Sequence, residues 1–464
     1  MDITKKAIDW QSLSGNFESK FGRFFKKFKI ATLAHDAYIH KAKGTSAISI
    51  FIKLFLLPFI KSNIYRNVVI NKLSDVKKDA IYDFLQSYKF NWRRFLLKLS
   101  LSVFEYYNNL TDEGRDSVFI IDDSTIERKR SKRVELLAKI YDHTQSRYLK
   151  GFKLLTFAWS DGASLIPLDF ILRSSANSKN RYQESTKIID KRTCGAIRRK
   201  EAITKSTDLI VPAIKRALAA GIKAKYVLMD SWFAMPSLIS NLYNYINVVC
   251  MLKRTSKVSY VFEGKTLNLM QIYSQVRKRR GRAKILASAI ISFKDKLKAK
   301  IVFVRNRNVK SDWLAIITTD INLKDEDVVR IYGKRWDIEV FFRTAKQHLE
   351  LENGFQGRDY DSLVAHTTIV MTRYIFLSIE QRMATDHRTL GLLFHACCGE
   401  ADDYTFSTAL NQIAYMIGEN LMRNLDNQIK DNAVIYQVFS DVCRSYGLNF
   451  DSFSNDHKGL ALVS

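Results

Sequence analysis

The chain has 464 residues, with 74 Lys and Arg against 47 Asp and Glu, for a formal net charge of +27. Apolar residues make up 47% and aromatics 12%, with 4 prolines and 18 glycines, which excludes a fibrous or disordered chain and allows a large core in roughly two to four domains. A globular chain this basic meets a polyanion, either nucleic acid or an anionic membrane surface.

The membrane alternative is disfavoured. The most apolar run, Ala47 to Ile60, carries Lys53 and is too short to span a bilayer. The opening MDITKKAIDW has no apolar signal region. The five cysteines (Cys194, Cys250, Cys397, Cys398, Cys443) are odd in number and contain no CxxC spacing. They suggest reduced thiols and a cytoplasmic location, with neither a disulfide framework nor a zinc site.

In chain order, residues 1–112 show apolar positions at three and four spacing, interleaved with Lys and Arg, as in Phe21–Lys29 and Trp92–Leu99. This predicts a helical, basic N-terminal region suited to contacting DNA. From residue 113 the texture changes. Ser117–Ile121 is a short apolar run that reads as a strand, ending at Asp122 and Asp123. Phe152–Trp159 and Ser164–Leu172 read as a hairpin about Ser160-Asp161-Gly162. A polar connection, 180–200, leads to a helix near Thr204–Ala220. Tyr226–Met229 is a fourth strand ending in Asp230, Pro236–Tyr245 a helix and Val248–Leu252 a fifth strand. Residues 253–322 alternate β-branched runs (Val258–Phe262, Ile285–Phe293, Lys300–Val304, Trp313–Thr318) with basic loops, and read as a β-rich insertion. Residues 361–464 are again helical in pattern.

Between them, 323–360 reads as one helix starting near Asp325, whose acidic neighbours suit a helix N-terminus. Tyr332, Arg335, Glu339 and Lys346 fall at i, i+3, i+7 and i+14, one polar stripe beside the apolar stripe Ile331, Ile338, Phe342, Ala345 and Leu349. Two-metal phosphodiester chemistry needs carboxylates that clamp divalent ions on one phosphate, and hard oxygen ligands suit Mg²⁺ or Mn²⁺. Asp123, Asp230 and Glu339 are the candidates. Only a fold can gather residues this far apart, and a cation would have to offset a repulsion of about 4 kcal/mol per pair at contact.

The pattern Y-x2-R-x3-E-x6-K at Tyr332, Arg335, Glu339 and Lys346, with Asp123 in IDDST and Asp230 in LMDSWF, resembles the signature of the insertion-sequence-four family of DDE transposases. The resemblance implies an α/β RNase H-like catalytic core, first part 113–252 and last helix 323–360, interrupted by the 253–322 insertion and flanked by helical terminal regions. It implies catalytic Asp123, Asp230 and Glu339 holding two Mg²⁺ or Mn²⁺ ions, and Tyr332, Arg335 and Lys346 on DNA phosphates. That family's first Asp commonly has Thr two residues on. This favours Asp123 with Thr125, although Asp122 has Ser124 at the same offset. The implied activity is cut-and-paste transposition of double-stranded DNA. The protein would bind terminal inverted repeats and target DNA as a homodimer, in the bacterial cytoplasm at the nucleoid.

Some relatives hold a flipped base on an insertion-domain Trp. Trp313 is the candidate here, with packing against the core as its alternative. Basic runs at Arg128–Arg133, Arg198–Lys200 and Arg277–Arg282 suggest an electrostatic DNA track. His143 reads as structural. The rival functions are a metal-dependent nuclease without strand transfer and a non-catalytic DNA-binding derivative of a transposase. The β-rich insertion argues against the first, and the complete carboxylate set against the second.

Overall fold

The computed structural model describes residues 19–401, except 66–75, 111–114, 143–144, 186, 280–282, 307–308, 310–311, 354, 356, 384–388 and 400. His143, Arg280, Arg282, Cys443 and most of 361–464 therefore lie outside the described residues.

The N-terminal helices are α1 (Lys20–Lys27), α2 (Ile30–Asp36), α3 (Ala47–Leu56), α4 (Lys78–Leu85) and α5 (Trp92–Asn108). Local signals set their starts. The Ser19 hydroxyl accepts from Gly22 N–H, and the Asn91 side chain accepts from Arg94 N–H at the head of α5. Helix α5 buries Trp92, Phe95, Leu96, Leu99, Val103 and Tyr107, the helical stripe its sequence shows. These helices are not a unit apart. Phe21, Phe24, Phe55 and Phe59 gather around Phe376 of α12 (Tyr360–Met383), with ring centroids 5.1–5.9 Å away. Among the described residues, the N-terminal helices, the sheet and α12 share one apolar core.

Helix α12 is the axis of the helical layer. It is long and apolar enough to cross a membrane, yet its most apolar window is entirely buried in the fold. Two of its threonine hydroxyls donate along the helix itself, Thr367 to Leu363 O and Thr372 to Thr368 O. The Arg373 guanidinium donates to the carbonyls of Leu54, Phe55 and Leu349, which closes the C-terminal end of α3.

Among the described residues, eleven strands form one mixed sheet in the order β2-β3-β1-β5-β6-β11-β10-β9-β7-β8, with β4 also on β3. They are β1 (Val118–Glu127), β2 (Ala138–Asp142), β3 (Arg147–Ser160), β4 (Leu165–Arg173), β5 (Tyr226–Met229), β6 (Asn247–Met251), β7 (Ser259–Phe262), β8 (Lys265–Asn268), β9 (Ile285–Ser292), β10 (Lys298–Arg305) and β11 (Trp313–Thr318). Strands β1, β3 and β4 are antiparallel, while β5 and β6 run parallel to β1, joined by α7 (Ser206–Ala219) and α8 (Pro236–Tyr243). This order is consistent with an RNase H-like fold.

Several expectations change. Strand β1 does not stop at Ile121 but runs through both aspartates to Glu127, because its pairing with β3 continues to Gly151. The connection at 180–200 contains a helix, α6 (Cys194–Ala202). The β-rich segment makes no separate sheet: β11 pairs with β6, so the central sheet simply continues into it. The expected single helix is two, α10 (Asp325–Gly333) and α11 (Trp336–Gln347). At their joint Lys334, Arg335, Asp337 and Ile338 each donate to the carbonyl three residues back. Such a 3₁₀ turn, beginning at a glycine, re-aims the polar stripe.

Candidate active site

The parallel pairing of β1 with β5 ends at Ile121 opposite Met229, so Asp122 and Asp230 are the next residues on neighbouring strands. Helix α11 lies against β1 and adds Glu339. The group that joins these residues is Arg335. Its Nη1 donates to Asp122 Oδ2 at 2.5 Å and to Glu339 Oε1 at 3.3 Å. Burial pushes the Asp122 carboxyl up to about 7; Arg335 opposes this, and the charges of Asp230 and Glu339 add to it. Burial also raises Asp230, partly offset by the N–H of Trp232 and by Arg335, while Asp123 presses it further up. Arg335 loses solvation on burial, but Asp122, Tyr332, Glu339 and Asp230 together hold its proton more tightly than usual. Burial raises the Tyr332 phenol too, and its surroundings include Arg335, Asp230 and Asp122.

Asp123, the residue expected in this group, is paired elsewhere, though its charge is still felt at Asp230. Alternation along a strand sends it to the opposite face from Asp122. There Lys153 Nζ pairs with it at 3.1 Å and Arg173 feels its charge. In the sequence Asp122 is the alternative to Asp123, marked by the Ser124 offset, and it is Asp122 that Arg335 contacts.

Lys346, expected on phosphate, donates to Thr125 O at 2.6 Å and pairs with Glu352 at 3.0 Å, tying α11 to β1. Trp313 is half-buried. Tyr273 stacks on it at 4.3 Å, Phe303 meets it edge-on and the Arg254 guanidinium lies 5.2 Å from its centroid. Of the basic runs, Lys129, Arg130, Lys132, Arg133, Arg277 and Lys278 are exposed. Arg198 and Arg199 are not a surface track: both are buried against Asp361, and Arg199 also against Glu135.

Among the described residues, no three His, Cys, Asp or Glu side chains stand close enough to hold an ion as they are. The donor chemistry nevertheless fits a hard divalent cation. Two carboxylates, Asp122 and Glu339, accept from one guanidinium that also feels Asp230, and every one of these donors is a hard oxygen. Asp122, Asp230 and Glu339 are the residues that would hold Mg²⁺ or Mn²⁺.

A mixed sheet that carries Asp122 and Asp230 on adjacent parallel strands, with a helical Glu339 linked to them through Arg335, is compatible with metal-dependent cutting of a polynucleotide. A family model described as DDE superfamily endonuclease matches residues 66–302, just over half of the chain, and the protein belongs to that family. The match includes Asp122, Asp123 and Asp230 and ends before Glu339. A comparison with curated proteins finds no match.

Proposed function

We propose that the protein is a cut-and-paste DNA transposase of the insertion-sequence-four type, with Asp122, Asp230 and Glu339 as its catalytic carboxylates. The observation that carries this reading is the convergence of Asp122 and Glu339 on Arg335 beside Asp230, since the remaining signature residue in the cleft, Tyr332, faces the same acids. The net charge of +27 and the exposed basic runs supply attraction to double-stranded DNA. The natural substrates would be terminal inverted repeats and target DNA, bound by a homodimer in the bacterial cytoplasm.

A divalent ion held by Asp122, Asp230 and Glu339 would supply Lewis acidity, lowering the pKa of a water and offsetting charge on the phosphate. The chain's own part is to place and orient. Strands β1 and β5 hold two acids at fixed spacing, and α11 swings the third toward them from the 3₁₀ joint. Arg335 supplies positive charge in the free protein. When DNA enters, its planar fork suits a phosphate as well as a carboxylate. Tyr332 offers a phenolic donor on the same side.

The test is metal-dependent nicking of DNA carrying the gene's flanking repeats. Asp122→Asn, Asp230→Asn and Glu339→Gln should each abolish nicking yet retain binding, and Asp123→Asn should nick. An active Asp122→Asn with a dead Asp123→Asn would return the site to the other face of β1. The family's description as endonucleases favours one alternative, a nuclease alone. Joining of a pre-nicked 3′-OH end to target DNA separates the two.

A further inference from the structure

We propose that Lys153 and Arg173 form a phosphate clamp next to the carboxylates, gripping one phosphodiester of the bound DNA and fixing the strand relative to Asp122. The proposal rests on the reading of the protein as a DNA-cutting enzyme. Three neighbouring strands build the clamp. Lys153 on β3 stands opposite Arg173 on β4 and opposite Thr125 on β1, and Asp123, two residues before Thr125, shares that face. Lys153 Nζ donates to Asp123 Oδ1 at 3.1 Å. The Arg173 guanidinium is aimed by its Nε, which donates to Thr204 O at 3.3 Å in the loop between α6 and α7.

Charge and hydrogen bonding both leave this group incomplete. Two cations share one acid. Among the described residues, no acceptor meets Nη1 or Nη2 of Arg173, and Asp123 is the charge that opposes the loss of its solvation. The group is neither sealed nor fully in water, since the Lys153 side chain is 17% exposed and that of Asp123 19%. Exposed Lys205, directly after Thr204, adds to the same sign.

A cation drawn partly out of water is stabilised by an anion that brings the missing charge. The two Nη groups of an arginine match two oxygens of one phosphate, and a lysine adds a point charge. Position makes that phosphate one of the DNA. Asp123 directly follows Asp122, which Arg335 holds, and its charge reaches Asp230. A strand cut at Asp122 and Asp230 has further phosphates on either side, and this pair is the cationic group beside the cut that no acid fully neutralises.

The experiment measures binding by the full chain, without divalent metal, of a duplex carrying the gene's flanking repeats and of the same duplex with single neutral methylphosphonate linkages. In wild type one linkage, or two neighbours, should cost about 10- to 100-fold in affinity. Arg173→Gln should lose a similar factor on unmodified DNA, lower the salt slope by about 0.9 and become indifferent to that linkage. Lys153→Gln should lower the slope likewise. Asp123→Asn, which removes the competing acid, should tighten binding and keep the dependence on the linkage. A lowered melting temperature for Arg173→Gln with its linkage dependence intact would make the pair structural and overturn the proposal. Should Arg173→Gln fold poorly, the same series on Lys153→Gln and Asp123→Asn still decides it. Inorganic phosphate that raises the melting temperature of wild type but not of Arg173→Gln, with no sensitive linkage, would mark a site for free phosphate and overturn the DNA contact. DNA binding in which no linkage depends on the pair overturns this site and leaves the enzyme reading standing. Absence of DNA binding overturns both.

Discussion

Arg199 separates structural from DNA-contacting charge. Its Nε and Nη2 donate to Glu135 at 2.7 and 2.9 Å, and its Nη1 and Nη2 to Asp361 at 2.9 and 2.8 Å. Asp361 is wholly buried at the head of α12, and Tyr360 N–H donates to the same Glu135. Arg199→Met keeps much of the volume but leaves two acids facing each other. Removing one partner of a buried pair costs about 3–5 kcal/mol. Arg198 and Lys187 remain beside Asp361, so the lower end, about 3 kcal/mol, is expected. Urea unfolding of the variant against wild type measures it, and DNA affinity at several salt concentrations accompanies it. Stability should fall while the log–log salt slope stays put. A variant of normal stability whose slope drops by about 0.9, the value for one duplex phosphate, would refute the structural assignment and return Arg199 to the DNA track.

Gly151→Ala should disrupt β1 just beyond the acids. A Cβ there would stand 2.0 Å from the Ile126 carbonyl oxygen, so a loss of at least about 1–3 kcal/mol is expected by thermal melting. His366 is held down to about 3 by burial, with Arg373 and Arg128 adding, so the folded protein keeps it neutral. Its contribution is complete above the unfolded value near 6.5 and is lost as pH falls from there toward 3, at most about 5 kcal/mol. His366→Gln should flatten the stability–pH curve across that window by up to one proton, and an unchanged slope would contradict the assignment. Lys346→Met should cost about 1–3 kcal/mol by orphaning its share of the Thr125 carbonyl and Glu352. A reduced salt slope at unchanged stability would instead put Lys346 on phosphate.

The catalytic half of the fold was legible because its strands are buried on both faces and read as unbroken apolar runs. The same property hid the register of the site. When Val118 through Asp122 are all buried, no alternation tells which of two adjacent aspartates faces the helix. Pairing with β3 and the reach of Arg335 decide it, and both are long-range. Helix α6 escaped for a different reason. Its inward face is built from Arg198 and Arg199, neutralised by acids far away in the chain, so its burial leaves no apolar stripe. The polar stripe on α10 and α11 was readable as far as the 3₁₀ joint allows, since that joint keeps Arg335 and Glu339 one turn apart and within reach of one another.

The stitching of β11 to β6 bears on any attempt to trim this protein. Val248, Val249 and Cys250 are fully buried, and Val249–Met251 pair on their far side with Ile316–Thr318. Deleting 253–322 would spare Asp122, Asp230 and Glu339 yet bare a flat, apolar edge strand of the kind that recruits other chains. A minimal nuclease cut this way should come out as aggregate or as strand-swapped pairs. A soluble one would need a replacement edge, short, charged or proline-bearing, grafted beside β6.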